Sequence, residues 1–379
     1  MSDDVTESGP VHDDLAVEHR QAGDEFRSRT RRFVWSAAFV CVAMLVAAGL
    51  LIKVDYVALL PGSARDTEPL VLVEGADAYP SDGVILFTTV RVRQNPNIFE
   101  YFLAKWDDDA ELVPEEVILG DLTPDENREI NLQLMTDSKT IAVAVALQQL
   151  GFETISSDGV VVADVIPDTA ASGVLELGDT IVSVDGRPVP TALGLIEELR
   201  NYEPGSTIAF GLQRRDGTVE TVDVVMGARD DDADTAFLGI MPQDRVTVID
   251  ELPIDVEIDS GAVGGPSAGL AFTLAILDDL TPGELTGGET VAVTGTIAFD
   301  GRVGPVGGVL QKTAAVEAIG VRYFIVPSAL GEQELDALRE RAGDSLTIIP
   351  VATLDEALAA LSELGGDVAA VDEFAAGRS

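Results

Sequence analysis

The longest apolar run in the chain covers residues 33–52, FVWSAAFVCVAMLVAAGLLI. It carries no charged side chain over a length that, as a helix, would span the ~30 Å hydrocarbon core of a bilayer. Four arginines directly precede the run and only Lys53 directly follows it. The pattern predicts one transmembrane helix, with a cytosolic tail at 1–32 and the remaining chain outside the membrane. A cleaved signal peptide is the alternative, but its apolar region is usually only ~7–15 residues long.

Residues 53–157 begin with short apolar runs bounded by Gly, Pro and Asp, such as PLVLVEG and DGVILFTTVRV, and these predict strands. A helical pattern follows, with Thr123 as a candidate N-cap and Gly151 as a stop. We predict a β-rich juxtamembrane α/β domain. Ser138 and Lys139 are neighbours in this helix, and adjacent helical side chains point about 100° apart. We therefore expect this pair to be ordinary surface.

Residues 158–228 show strand, turn, strand, helix and hairpin in that order, and the segment LELGDTIVSVDG is typical of paired tight turns. This order resembles a PDZ domain. The resemblance implies a peptide groove between a helix and the strand that begins at Gly159, Val160 and Val161, where a peptide would join the sheet edge. The alternative is a small β domain that only spaces or braces its neighbour. Residues 229–236, within the stretch ARDDDADTA, predict a solvated linker.

Residues 237–365 alternate strand and helix patterns and predict one α/β domain, while residues 366–379 predict a flexible tail. At 379 residues and 46% hydrophobic, the chain can bury two or three cores. Its formal charge of −42 disfavours binding to nucleic acid. The single cysteine, Cys41, lies in the apolar run, which excludes a disulfide framework and a zinc knuckle. We expect no metal and no cofactor.

The stretch GAVGGPSAGLAF, residues 261–272, sets Ser267 in a glycine-rich turn that opens into an apolar helix. Both histidines of the chain lie within its first 20 residues, so a base for this serine must come from another residue type. Lysine can act as a base when burial lowers its pKa, whereas arginine cannot. Lys312, one of four lysines, follows VGPVGG at the start of an apolar helix. We predict a Ser267–Lys312 pair in which a neutral amine takes the serine proton.

Three residues ahead of this serine are expected to support it. Gly264, Gly265 and Pro266 lead into the helix, so backbone N–H groups there can face a developing oxyanion. The two glycines also allow close approach of a substrate backbone.

GGPSAG around Ser267 and VTGTIAFDGRVGPVGGVLQK up to Lys312 resemble the proteolytic domain of Lon proteases. The order of segments is similar to membrane-anchored bacterial proteins that join a transmembrane helix, a PDZ domain and a Lon-type domain. The resemblance implies Ser267 as nucleophile, Lys312 as general base and Thr294 as support for the lysine. Many Lon sequences carry an acidic residue where this chain has Gly264, which leaves carboxylate-based regulation of the site in doubt.

The predicted fold class is therefore multidomain α+β, with a transmembrane helix, a β-rich juxtamembrane domain, a PDZ domain and a Lon-type domain of the ribosomal S5 domain 2-like fold. No lysine stands in a G-x-x-x-x-G-K-[ST] loop, so the expected activity is an ATP-independent, membrane-tethered endopeptidase acting on extracytoplasmic or membrane-associated protein segments. The family also implies a homo-oligomeric ring such as a hexamer. The alternatives are a non-catalytic PDZ scaffold and a small-molecule kinase with a glycine-rich phosphate loop.

Overall fold

The computed structural model describes Trp35, residues 39–229 and residues 235–377. The predicted tail at 1–32 and most of the predicted linker lie outside the described residues. Contacts divide the chain into two units, one of residues 1–61 and 91–124 and one of residues 62–90 and 125–379.

Helices and strands are numbered separately in chain order. Besides the helical residues 39–51, which carry no number, the helices are α1 (Ile98–Trp106), α2 (Glu115–Leu119), α3 (Pro124–Gln149), α4 (Ala192–Leu199), α5 (Gly269–Leu280), α6 (Val309–Ala318), α7 (Glu332–Ala342), α8 (Leu354–Glu363) and α9 (Ala369–Ala376). The strands are β1 (Tyr56–Asp66), β2 (Val71–Glu74), β3 (Val84–Gln94), β4 (Glu111–Pro114), β5 (Ile155–Val165), β6 (Thr180–Val184), β7 (Arg187–Pro188), β8 (Thr207–Gln213), β9 (Val219–Val225), β10 (Gly227–Ala228), β11 (Ala236–Phe237), β12 (Ile240–Val248), β13 (Asp255–Ile258), β14 (Thr290–Val293), β15 (Thr296–Ile297), β16 (Val303–Gly304), β17 (Tyr323–Pro327) and β18 (Thr347–Val351).

The prediction of a transmembrane helix at 33–52 is wrong. Residues 39–51 are helical, but none of the helices in the described ranges is both long and apolar enough to cross a bilayer. The fold class with an N-terminal membrane span is corrected accordingly. So is the predicted location as a single-pass membrane protein with extracytoplasmic PDZ and protease domains.

In the first unit, β1 pairs antiparallel with β4, from Tyr56 opposite Pro114 to Leu59 opposite Glu111. Helix α1 starts with a capping box at its first turn, because Asn97 accepts from the Glu100 N–H while the Glu100 carboxylate accepts from the Asn97 N–H. This reciprocal cap satisfies two backbone donors that a helix start otherwise leaves unpaired.

In the second unit, the central sheet has strand order β18-β17-β14-β3-β1, and its β3, β14, β17 and β18 pairings are parallel. Alternate residues of each strand face opposite sides of a sheet. Phe87 and Ile325 thus join the core with α3 and α5, whereas Leu86 and Phe324 join the core with α6 and α7. Both faces are covered, which explains the continuous apolar runs of these strands.

A second sheet, of order β12-β5-β6-β8-β9, lies between α3 and β13 in the chain and has its own apolar core. This sheet includes β12, so it extends beyond residue 228, where the predicted PDZ-like segment ends. The predicted segment 53–157 is distributed over both units, because β3 and α3 share a core with α5. Residues 369–376, in the predicted tail, form α9, whose Val371 is fully buried.

Candidate active site

Ser267 lies at the end of the loop that connects β13 to α5, two residues before the helix begins. Ser267 is half-buried, whereas nearly every residue of α5 is buried. Gly265 in this loop has φ +88°, a backbone conformation that side chains with a Cβ rarely adopt. We call residues 259–268 the nucleophile loop.

Lys312 lies in the second turn of α6 and is only 2% exposed. The residue that caps the start of this helix is Gly308, whose φ of +67° places it in the left-handed region. A Cβ at Gly308 would lie 2.7 Å from Val90 Cγ2 of strand β3, so only glycine lets α6 pack this closely on the sheet. This close packing takes the lysine side chain out of solvent.

The structure brings Ser267 and Lys312 together. Lys312 Nζ lies 2.8 Å from Ser267 Oγ, within hydrogen-bond distance, although the two residues are 45 positions apart in sequence. The loop before α5 therefore supplies a hydroxyl, and the first turns of α6 supply an amine that lies next to it.

Thr294, which follows β14, contacts both members of this pair. Lys312 Nζ lies 2.8 Å from Thr294 Oγ1, and Thr294 Oγ1 donates its own hydrogen to the Ser267 carbonyl at 3.2 Å. With its hydrogen used in this way, Thr294 can only accept from the lysine. One amine hydrogen is thereby directed at Thr294, and the lone pair of a neutral amine is left for Ser267.

Burial lowers the pKa of Lys312 from 10.5 to about 7, because the charged ammonium loses its hydration inside the protein. Within the described residues, no charged group offsets this effect, since burial is the single cause of the shift. At pH values above 7 most of the amine is neutral and able to accept a proton.

Two backbone donors are available next to the hydroxyl. Across the described ranges, neither the Ser267 N–H nor the Ala268 N–H donates to a protein acceptor. The Gly265 N–H is used, since it donates to the Asn131 carbonyl at 2.8 Å. The other two loop residues expected to support the serine, Gly264 and Pro266, also lie against α3. A Cβ at Gly264 would lie 3.1 Å from Asn131 Cβ. The Pro266 carbonyl accepts from Ser138 Oγ.

Helix α3 supplies residues that the sequence pattern had indicated as surface. Ser138 is 4% exposed and its Oγ donates to the Pro266 carbonyl at 3.0 Å. Lys139 Nζ donates to the Ile258 carbonyl at 3.1 Å. A signal was present in the pattern, since Ser138 shares a helical face with the buried Met135, Ala142 and Val145 at helical spacing.

The structure positions the predicted groove residues inside a sheet. Val160 and Val161 pair on one side with β12 and on the other with β6, so this strand has no free edge there. The adjacent Gly159 packs on β6, where an added Cβ would lie 2.7 Å from Thr180 Cγ2.

A cleft of about 250 Å³ lies instead beside β12, the edge strand of this sheet. Its lining consists of Leu195, Ile196 and Leu199 of α4, Arg200, Arg229, residues 235–240 and Pro242. The Asp244 carboxylate of β12 accepts from the Ala192 N–H at 2.6 Å, which fixes the start of α4 against the strand. The cleft thus lies between an apolar helix face and an open strand edge.

In the described part of the chain, no group of three or more His, Cys, Asp or Glu side chains could hold a metal ion.

Two family models match the chain. The model of the Lon protease (S16) C-terminal proteolytic domain matches residues 241–363, and the PDZ domain model matches residues 148–226. The predictions of a Lon-type proteolytic domain and of a PDZ domain are therefore confirmed, whereas membrane anchoring is not.

Among curated relatives, a Lon protease of Chloroflexus aggregans is 36% identical over 30% of this chain and 13% of its own length. A Lon protease of Phenylobacterium zucineum is 35% identical over 27% of this chain and 12% of its own length. The matched stretch therefore spans about an eighth of these relatives. Among solved structures, the crystal structure of the PDZ domain of an SdrC-like protein from Listeria monocytogenes is 28% identical, with a TM-score of 0.21, over 22% of this chain and 87% of that chain.

Proposed function

We propose that this chain, which combines a Lon-type proteolytic domain with a PDZ domain, is a serine peptidase in which Ser267 is the nucleophile and Lys312 the general base. One observation carries the proposal: a buried lysine amine lies 2.8 Å from the hydroxyl of a serine at the start of a helix. Burial favours the neutral amine, and a neutral amine at this distance can take the hydroxyl proton. The substrates are proteins or peptides.

The reaction follows from these groups. Ser267 Oγ attacks the carbonyl carbon of the scissile peptide bond while its proton passes to Lys312 Nζ. The carbonyl oxygen becomes an oxyanion that the Ser267 and Ala268 N–H groups can stabilise. Lys312 then gives the proton to the leaving amine, the C–N bond breaks and an ester to Ser267 remains. Water attacks this ester with Lys312 again as base, which releases the acid product and restores the hydroxyl.

Thr294 contributes orientation in this scheme. Because it accepts one amine hydrogen, it holds the lysine lone pair towards Ser267. Fixing a base in the reactive geometry removes rotational freedom that would otherwise add to the barrier.

We further propose that cleavage needs no ATP. No lysine of the sequence follows glycine and precedes serine or threonine, as the phosphate-binding loop of a motor domain requires. Cleavage without ATP cannot drive unfolding, so the substrates are unfolded proteins and flexible segments.

The test of this proposal is cleavage of a fluorescein-labelled, denatured casein by the full chain without nucleotide. We expect cleavage by the wild type, no detectable cleavage by Ser267→Ala, and full cleavage by the loop control Ser260→Ala. A slow ester substrate should add its acyl mass to a peptide that contains Ser267. Cleavage that persists in Ser267→Ala, or a wild type that cleaves only with ATP, contradicts the proposal. A wild type that never cleaves favours the non-catalytic scaffold.

We also propose that the cleft beside β12 binds extended peptides. A peptide that adds to the β12 edge would gain backbone hydrogen bonds, and its side chains would enter the apolar space under α4. Ile196, which lines the cleft, is 42% exposed, and Leu193 on the same helix is 64% exposed and does not line it.

Replacing Ile196 by glutamate is expected to weaken peptide binding at least about tenfold, because it removes apolar contact and adds a charge in the cleft. The measurement is fluorescence polarisation with a peptide selected by the wild type from a random library, and Leu193→Glu is the matched control. Equal affinity of Ile196→Glu and the wild type would move the peptide site elsewhere.

A further inference from the structure

Helix α3 holds the nucleophile loop and the residue just before it by three hydrogen bonds. The Asn131 carbonyl accepts from the Gly265 N–H at 2.8 Å, Ser138 Oγ donates to the Pro266 carbonyl at 3.0 Å, and Lys139 Nζ donates to the Ile258 carbonyl at 3.1 Å. Residues 125–147 of this helix lie outside both ranges matched by the family models. No role is therefore assigned to α3 by the comparisons.

The bond from Ser138 acts on the peptide group that joins Pro266 to Ser267. The Pro266 carbonyl accepts from two donors, Ser138 Oγ and, at 3.3 Å, the Gly269 N–H. A peptide group is planar and, when trans, directs its C=O and its N–H to opposite sides. Anchoring the carbonyl towards α3 therefore directs the Ser267 N–H away from α3, and this N–H has no protein acceptor within the described ranges.

We infer that Ser138 is a positioning residue, whose hydroxyl holds the Ser267 N–H in the orientation that stabilises the oxyanion. The inference rests on the proposed peptidase function. Proline fixes its own φ but leaves its ψ free, so the Pro266–Ser267 peptide group can turn by a paired change of that ψ and the φ of Ser267. Ser138 opposes this rotation because its hydroxyl is closely packed. A Cβ added to Gly269 would lie only 2.8 Å from Ser138 Oγ.

Replacing Ser138 by alanine leaves only the longer Gly269 contact on the Pro266 carbonyl. We expect kcat to fall about 10- to 100-fold with KM unchanged, because an oxyanion contact forms only in the transition state. The loss is smaller than the 10²–10³-fold that follows direct removal of an oxyanion donor, since the N–H itself remains. Affinity for a peptide aldehyde, whose hemiacetal on Ser267 mimics the tetrahedral intermediate, should fall in parallel with kcat.

Two hydroxyls on the exposed side of the same helix provide controls. Thr136 Oγ1 and Thr140 Oγ1 donate to carbonyls one turn earlier in α3, at 3.1 and 3.2 Å. Thr136→Ala and Thr140→Ala should keep the wild-type kcat and aldehyde affinity. Ser138→Cys keeps the side chain near its native size with a weaker donor, so its kcat should lie between those of the wild type and Ser138→Ala.

The outcomes separate this inference from the proposed function. A wild type that cleaves in a Ser267-dependent manner, with unchanged kcat in both Ser138 variants, overturns the inference and leaves the function intact. A change in KM alone, or in melting temperature with kcat per folded enzyme unchanged, also overturns it. If the wild type cleaves nothing, the proposed function fails and the inference fails with it.

Discussion

Replacing Lys312 by methionine is expected to abolish peptide cleavage, with kcat/KM reduced by at least about 10³-fold. Methionine fills a similar volume but has no lone pair that can accept the Ser267 proton. Lys312→Arg should be equally inactive, because a guanidinium remains protonated at any pH at which the protein is folded. The measurement is kcat/KM on one fluorogenic peptide across the variants.

The fold of these variants can be judged separately from their activity. A buried amine pays a desolvation cost that a methionine does not, so Lys312→Met should be as stable as the wild type or more stable. Lys105→Met, the same substitution at an exposed lysine of α1, serves as the control and should cleave normally. Wild-type rates in Lys312→Arg would contradict the assignment of the base.

The second large effect concerns stability and pH. The pKa of Lys312 is about 7 in the folded chain and 10.5 as a free side chain, so between these values the unfolded chain binds the extra proton. The free energy of unfolding therefore rises with pH across this window, by about 5 kcal/mol for the full difference in pKa. Below pH 7 the Lys312 amine is charged in both the folded and the unfolded chain, so this gain in the free energy of unfolding is absent. The measurement is urea unfolding from pH 6 to 10.5.

The buried Asp278 and the half-buried Asp279 make the free energy of unfolding fall with pH at lower pH values. Burial raises the pKa of Asp278 to about 6 and that of Asp279 to about 7, from an ordinary value of 3.8. Here the folded chain binds the extra proton, so their contribution to stability is lost as the pH rises from about 4 to 7. Together the groups predict a stability minimum near pH 7. Lys312→Met should flatten the rise above pH 7 and leave the fall below it, whereas an unchanged rise would exclude Lys312 as its source.

The chemistry of the site could be predicted from the sequence because few residue types can perform it. With both histidines near the N-terminus and only four lysines, the glycine-rich turn at Ser267 and the apolar helix at Lys312 were strong local signals. Local signals also indicated the PDZ-like turns. These features depend on short segments in which the positions of glycine and proline indicate the backbone conformation.

The remaining features depend on contacts between distant segments. Nothing in the local pattern of Val160 and Val161 indicates that β12, some 80 residues later, pairs with that strand and leaves its own edge open beside α4. The helical spacing places Ser138 on the apolar face of α3, but the pattern does not indicate that the nucleophile loop packs there and accepts its hydrogen bond. The apolar run at 33–52 satisfies a hydropathy rule, but none of the helices in the described part of the chain is long and apolar enough to cross a bilayer.

The central claim is that the Lys312 amine is uncharged under working conditions. Lysines labelled with ¹³C at Cε can be titrated individually by NMR, and with only four lysines the spectrum is assigned by comparison with Lys312→Met. We predict one resonance that titrates near pH 7 and disappears in Lys312→Met. A spectrum in which all four lysines titrate near their ordinary value of about 10.4 would contradict the account.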